Sequence, residues 1–156
     1  MSSSIRRIPW KEDSLLSMDL RDPLGWEAVA KAGEVPLLLV RHGRTAANAE
    51  RRFVGCSDPP LDSTGIKESQ IVAGRLSRLE RGGLYASPLV RARDTAGALG
   101  PPVLVEALQE LDQGELEGKR FEEVHEEHRD FFVAWERDPT HVRVPGGESL
   151  GECRDR

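Results

Sequence analysis

The sequence is poor in aromatic residues and has no long hydrophobic run. Aromatic residues make up 5% of its 156 residues, whereas 38% are hydrophobic. We therefore expect a core built mainly from Leu, Val, Ile and Ala. The longest strongly apolar run, Leu37 to Val40, is far shorter than the ~20 residues that a membrane-spanning helix needs. This predicts that the chain has no membrane partner.

The sequence also lacks an excess of positive charge and a cluster of cysteines. The 22 Lys and Arg residues are outnumbered by 27 Asp and Glu, which gives a net charge of −5, and the basic residues are dispersed. We therefore expect no nucleic-acid partner. Cys56 and Cys153 lie far apart and outside any zinc-ligand spacing, and the first residues contain no apolar segment typical of an export signal. These features predict free thiols and a cytoplasmic protein.

Two regions differ in character. Residues 1–34 open with a polar stretch and then contain a short predicted helix over RDPLGWEAVAKAG, residues 21–33, between a capping Asp and a terminating Gly. We interpret residues 1–34 as an N-terminal extension and residues 35–156 as one domain.

Within residues 35–156, strands and helices are predicted to alternate. The run VPLLLVR, residues 35–41, is too short for an independent helix and is typical of a buried parallel strand. Further strands are predicted over residues 84–86 and 103–106, and helices from a cap at Asp62 or Ser63 to Arg81, from Ser87 and Pro88 to Leu99, and from Phe121 to Trp135. Such alternation predicts an α/β fold with a parallel sheet.

Polar side chains follow each predicted strand, where ligands of open α/β sheets bind. Taken singly, His42 can be explained as a turn residue, and Arg41 and Arg91 as salt-bridge partners. Together, two guanidinium groups flanking a histidine at a strand end favour a site for a phosphoryl group, which arginine holds in a planar fork.

These segments together resemble the histidine phosphatases of the phosphoglycerate mutase superfamily. The resemblance rests on RHGRT at residues 41–45 and, in order, on Asn48, GCSDPPLDSTG, ASPLVRARDTA, ELDQGELEG and PGGES at residues 145–149. It covers residues 35–156 and implies a three-layer α/β sandwich whose mostly parallel sheet is flanked by helices.

The resemblance also implies a mechanism. His42 would attack phosphorus and become a phosphohistidine, and Glu110 would donate a proton to the leaving oxygen. The resemblance implies a small phosphorylated substrate. It implies no metal and no cofactor, because arginines supply the positive charge. The implied phosphate-binding residues are Arg41, Thr45, Asn48 and Arg91.

Three functions remain open at this point. Compact loops favour a phosphate monoester hydrolase over a phosphoglycerate mutase-type phosphotransferase. The family also places a second histidine on a strand beyond PGGES, and His125, His128 and His141 do not match its motif. We therefore expect this chain to lack the final strand and helix, which leaves a non-catalytic fragment that binds phosphorylated ligands as the third possibility. The missing strand also predicts an exposed apolar sheet edge, Val35 to Val40. Through this edge the chain would aggregate or self-associate, or the N-terminal segment would partly cover it.

The HEEH stretch offers a metal site as a weaker hypothesis. His125 and His128 share one helix face, but their order is not that of a HExxH zinc motif, and His128 falls on the apolar stripe. We interpret the neighbouring glutamates as a solvated face.

Overall fold

The computed structural model describes residues 37–77, 79 and 81–156. The chain divides into two units, residues 1–39 and 40–156, and the described structure belongs almost entirely to the second. The helix predicted over residues 21–33 lies outside the described residues. Among those described, no helix is long and apolar enough to cross a membrane.

The described chain alternates between helices and two short parallel strands. Strand β1 is Tyr85–Ala86 and strand β2 is Val103–Leu104, and they pair with Tyr85 opposite Val103. The helices are α1 (Ala46–Ala49), α2 (Ser63–Leu76), α3 (Val90–Gly97), α4 (Phe121–Glu127), α5 (Arg129–Arg137) and α6 (Leu150–Asp155). Short 3₁₀ turns cover Glu106–Leu108 and Gly114–Leu116. Because α3 connects the two parallel strands, the segment is a β-α-β unit, which confirms the α/β class.

The strand predicted over residues 35–41 is wrong for the part that the structure describes. Residues 37–44 adopt no strand ladder, and the side chains of Leu37 and Leu39 are 80% and 83% exposed. A strand is defined by hydrogen bonds to a neighbour, and none of the described segments pairs with this run. Its apolar character alone therefore did not make it a strand.

Helix α2 begins where the sequence predicts and ends earlier. The carboxylate of Asp62 accepts hydrogen bonds from the N–H groups of Thr64 and Gly65, both at 2.8 Å, which satisfies donors that the first turn leaves open. The helix ends at Leu76 rather than at Arg81. Polar side chains beyond it bind its free carbonyl groups: Arg81 donates to the carbonyl oxygen of Leu76 at 3.2 Å.

The continuous helix predicted from Phe121 to Trp135 is divided in two. His128 leaves the helical conformation (φ −122°, ψ 38°) between α4 and α5, so the two helices present separate apolar faces. Both faces pack on the buried core of the described region, with aromatic side chains around it. That core consists of Leu111, Leu116, Val124 and Val144.

Candidate active site

The turn that follows residues 37–40 contains His42, whose ring is held in one tautomer. Its Nδ1 lies 2.8 Å from the carbonyl oxygen of Gly43. A carbonyl oxygen can only accept a hydrogen bond, so Nδ1 carries a proton, and in the neutral ring Nε2 keeps its lone pair. His42 can therefore act as a nucleophile through Nε2 if the ring is neutral.

Its surroundings favour that neutral form. Burial of the half-exposed ring lowers the pKa of His42 below its usual 6.5, and the positive charges of Arg91 and Arg41 lower it further. The hydrogen bond to Gly43 and the charge of Glu110 act in the opposite direction but are outweighed. Predicted residues that follow three different predicted strands therefore act on one another electrostatically. They are His42 with Arg41, Arg91, and Glu110.

Arg91 is a buried cation near this histidine. Its side chain is on α3 and the residue is 2% exposed, and its two terminal nitrogens donate to the carbonyl oxygens of Ser57 and Gly55, both at 2.8 Å. Within residues 37–77, 79 and 81–156, no carboxylate forms an ion pair with it. Burying a charge is costly unless an opposite charge compensates it, so the guanidinium is suited to binding an anion.

Glu117 holds the loop that orients Arg91, and the sequence did not point to it. Its Oε1 accepts hydrogen bonds from the N–H groups of Gly55 and Cys56, at 2.5 and 2.8 Å. Its Oε2 accepts from the hydroxyl of Ser57 at 2.5 Å. The carboxylate thus binds one side of the loop, and the carbonyl groups on the other side face Arg91.

Thr45 and Asn48 form a reciprocal cap at the start of α1. The Oδ1 of Asn48 accepts from the backbone N–H of Thr45 at 3.1 Å and from its hydroxyl at 3.0 Å. In return, Thr45 Oγ1 accepts the N–H of Asn48 at 3.2 Å. Thr45 is fully buried. The amide oxygen of Asn48 accepts both of these bonds, whereas its amide NH₂ group makes no hydrogen bond among the described residues and can donate to a ligand.

Arg41 and Glu110 occupy exposed positions in this neighbourhood. Both side chains are open to solvent, and an oxygen of Glu110 accepts the N–H of Leu111 at 3.0 Å. Glu110 also borders a cleft of about 490 Å³, whose other lining residues are Cys56, Glu106, Ala107, Gln109, Asp112, Glu148 and Arg156. His42 and Arg91 are not part of that cleft, so its volume does not define the phosphoryl site.

Neither histidine of HEEH belongs to a larger cluster of metal-ligating side chains in the part of the chain that the structure describes. Across that part of the chain, no three His, Cys, Asp or Glu side chains come close enough to share an ion. The ring of His125 instead stacks on Phe132, with 5.4 Å between the ring centroids.

The model of the histidine phosphatase superfamily (branch 1) matches residues 37–156, so this chain belongs to that superfamily. Among curated relatives, it is 35% identical over 127 residues to phosphoserine phosphatase 1 of Hydrogenobacter thermophilus, covering 78% of this chain and 60% of the relative. It is 37% identical over 123 residues to the probable phosphoglycerate mutase GpmB of Salmonella paratyphi C, covering 76% and 57%. The chain thus spans about three fifths of the length of these relatives.

Solved structures show the same fold. TTHB049 from Thermus thermophilus matches with a TM-score of 0.61 and 32% identity, over 74% of this chain and 65% of that one. A putative alpha-ribazole-5'-P phosphatase from Escherichia coli K-12 matches with a TM-score of 0.67 and 26% identity, over 74% and 60%. The predicted phosphoglycerate mutase-like fold is therefore confirmed.

Proposed function

We propose that this chain carries the phosphohistidine-forming part of a phosphate monoester hydrolase, with His42 as the nucleophile. The observation that supports it most is the 2.8 Å contact between Nδ1 of His42 and the carbonyl oxygen of Gly43, from which we infer that Nδ1 is protonated and Nε2 is free. The charge of the buried Arg91 guanidinium also lowers the pKa of the ring. A neutral nucleophile and a cation that forms no ion pair within the described part of the chain together suit attack on a phosphate dianion.

In the proposed reaction, Nε2 of His42 forms a bond to phosphorus while the bond from phosphorus to the leaving oxygen breaks. Glu110 in its acid form gives that oxygen a proton. Water then attacks the phosphohistidine, Glu110 takes up a proton from it, and inorganic phosphate leaves with His42 neutral again. The guanidinium groups of Arg41 and Arg91 stabilise the charge on the transferring group, and the Asn48 amide adds a donor that Thr45 positions.

Small phosphate monoesters are the proposed substrates. The relatives' names support the class, since they include a phosphoserine phosphatase and a putative alpha-ribazole-5'-P phosphatase. A second candidate function is transfer of the phosphoryl group to a second hydroxyl instead of water. It is supported by the 37% identity to a probable phosphoglycerate mutase.

A trapping experiment tests the proposal. The chain is incubated with an aryl phosphate and analysed by intact mass, and we expect a phosphoryl adduct that is lost in acid. His42→Ala should abolish the adduct. His141→Ala is the control, because His141 is exposed and bound to Asp138. An adduct that persists in His42→Ala would contradict the nucleophile assignment. Phosphate binding without any adduct in the unaltered chain would favour the binding-only alternative.

Release of inorganic phosphate and isomerisation of phosphoglycerate, measured side by side, separate the two candidate activities. Hydrolysis should exceed isomerisation. The reverse would favour the phosphotransferase.

Three further proposals concern the whole chain. Residues 1–34 are an extension to a domain of residues 35–156. A cytoplasmic location is supported by two free cysteines, Cys56 and Cys153.

Self-association through the apolar run is supported by the exposure of Leu37 and Leu39. Sedimentation at increasing concentration tests it, and Leu37→Lys with Leu39→Lys should shift the chain toward monomer.

A further inference from the structure

A buried threonine joins the turn of His42 to the helix of Arg91. Thr95 lies on α3, one turn after Arg91, and is 5% exposed. Its hydroxyl donates to the carbonyl oxygen of Arg91 at 2.7 Å. The hydroxyl oxygen of Thr95 also accepts the backbone N–H of Gly43 at 2.9 Å, across 52 residues of sequence. One hydroxyl therefore binds both segments of the candidate site.

The first of these bonds is ordinary. Threonine in a helix commonly donates to the carbonyl group four residues earlier, and that bond needs no functional explanation. The bond from Gly43 is different, because it comes from outside the helix and uses a lone pair of the hydroxyl. A second buried hydroxyl, that of Ser69, lies 3.4 Å from Thr95 Oγ1 and donates to the carbonyl oxygen of Gly65 at 2.8 Å.

Gly43 is held from several sides, and its orientation sets the histidine tautomer. Its N–H is bound by Thr95, and its Cα lies against the backbone of Gly65, where a Cβ would collide with the carbonyl oxygen. Its own carbonyl group receives the Nδ1 proton of His42. If the residue turned, that carbonyl group would no longer point at Nδ1, and an unconstrained imidazole populates both tautomers.

We propose that Thr95 is a positioning residue that fixes Gly43 and thereby keeps His42 in the tautomer with Nε2 free. The proposal rests on the proposed role of His42 as the nucleophile. In the tautomer with Nε2 protonated, the nitrogen that should attack phosphorus has no lone pair to do so. Thr95 acts only through Gly43 and His42, and it touches no substrate.

The tautomer can be read without any turnover. In the full chain carrying ¹⁵N-labelled histidine, the two ring nitrogens of His42 have distinct chemical shifts. The unaltered chain should show a protonated Nδ1 and an unprotonated Nε2 at pH 7.5. Thr95→Val removes the hydroxyl and nearly keeps the shape, and it should populate both tautomers. Thr95→Ser keeps the hydroxyl and should preserve the original pattern.

Kinetics supply a second readout. In Thr95→Val, formation of the phosphohistidine should slow by about 10- to 100-fold, as expected when a reacting group is misplaced. Binding of inorganic phosphate should change far less, because the side-chain contacts of Arg91 do not involve Thr95. Ser149→Ala is the matched control: Ser149 is another buried hydroxyl, 4% exposed, and its hydroxyl bonds only to Glu152 among the described residues.

The outcomes separate this proposal from the proposed function. Loss of the tautomer preference in Thr95→Val, with no phosphohistidine in any variant, would support the positioning role and contradict the nucleophile. Phosphohistidine in the unaltered chain, with an unchanged tautomer in folded Thr95→Val, would overturn the positioning role alone. If Thr95→Val does not fold, the unaltered chain decides: a protonated Nε2, or a Gly43 amide that exchanges with solvent as fast as an exposed one, overturns the proposal.

Discussion

Gly43 and Gly65 lie backbone against backbone. A Cβ on Gly43 would collide with the carbonyl oxygen of Gly65, and a Cβ on Gly65 would collide with the backbone of Arg44. The start of α2 therefore presses directly on the turn that carries His42. Only glycine allows this approach, because any side chain at either position would hold the two segments apart.

Gly65→Ala should destabilise the chain and disturb His42. Overpacking of this kind costs about 1–3 kcal/mol, and the free energy of unfolding can be measured by denaturant titration. The control is Gly74→Ala on the same helix, where a Cβ meets no atom within 4 Å. It should instead stabilise the chain by about 0.5–1 kcal/mol, since alanine is the better helix former. Equal effects of the two substitutions would show that the close contact is unimportant.

Local sequence signals predicted the parts of the fold that depend on neighbours in the chain. A cap of α2 at Asp62 or Ser63 was predicted, and Asp62 is the residue that binds N–H groups two and three residues ahead. The start of α3 was predicted too early, at Ser87 and Pro88. Its first N–H, that of Val90, donates to Asp58, 32 residues away, at 2.7 Å. A partner so distant leaves no local pattern.

The candidate site shows the same division between residues with a local sequence signal and residues that act through distant contacts. His42 and Arg91 stand out because they lie in short, distinctive motifs, RHGRT and ASPLVRARDTA. The groups that orient them do not: Glu117 binds Gly55 across 62 residues, and Thr95 binds Gly43 across 52. The resemblance implies that Thr45 and Asn48 bind phosphate, and the local spacing of a Thr followed three residues later by Asn also signals the mutual cap that they form.

Replacing Arg91 should weaken phosphate binding. Hydrogen bonds to a charged group contribute about 1.5–3 kcal/mol, so Arg91→Met should raise the dissociation constant for inorganic phosphate by about 10- to 100-fold. Titration calorimetry measures this dissociation constant. Arg93→Met is the control on the same helix, since Arg93 is exposed and pairs with Asp94. Equal losses in both variants would mean that Arg91 contributes only general positive charge.

Removing the Glu117 carboxylate should reduce both stability and phosphate affinity. Glu117→Ala leaves the N–H groups of Gly55 and Cys56 and the hydroxyl of Ser57 without their acceptor, which should lower the free energy of unfolding by about 1.5–3 kcal/mol. The loop then no longer fixes the carbonyl groups that hold Arg91.

Two variants sharpen the Glu117 prediction. Glu117→Gln keeps an oxygen acceptor and should show the smaller loss of phosphate affinity. Glu122→Ala removes an exposed partner of Arg51 and should change the free energy of unfolding by less than about 1 kcal/mol. Phosphate affinity that stays unchanged in Glu117→Ala would contradict the link between this loop and Arg91.

The lowered pKa of His42 makes a prediction about pH. In the unfolded chain the ring takes up a proton as the pH falls through about 6.5, whereas the folded ring does so only at lower pH. Between these two values the unfolded state binds more protons, so His42 makes the free energy of unfolding decrease as the pH falls. Below the folded pKa its contribution levels off. Above 6.5 the ring is neutral in both states, and His42 contributes no pH dependence.

Arg41 provides the test of this electrostatic effect. Arg41→Ala removes a positive charge that lowers the pKa of His42, so NMR titration of the ring should give a higher pKa in the variant. The difference should shrink in high salt, because Arg41 is exposed and its charge is screened. Arg154→Ala serves as the control, since Arg154 pairs with Asp155 and does not contribute to the shift.

If phosphohistidine formation requires the neutral ring, the acid limb of its pH–rate profile should move upward with the pKa in Arg41→Ala. A limb that stays in place while the pKa rises would show that a group other than His42 controls the reaction.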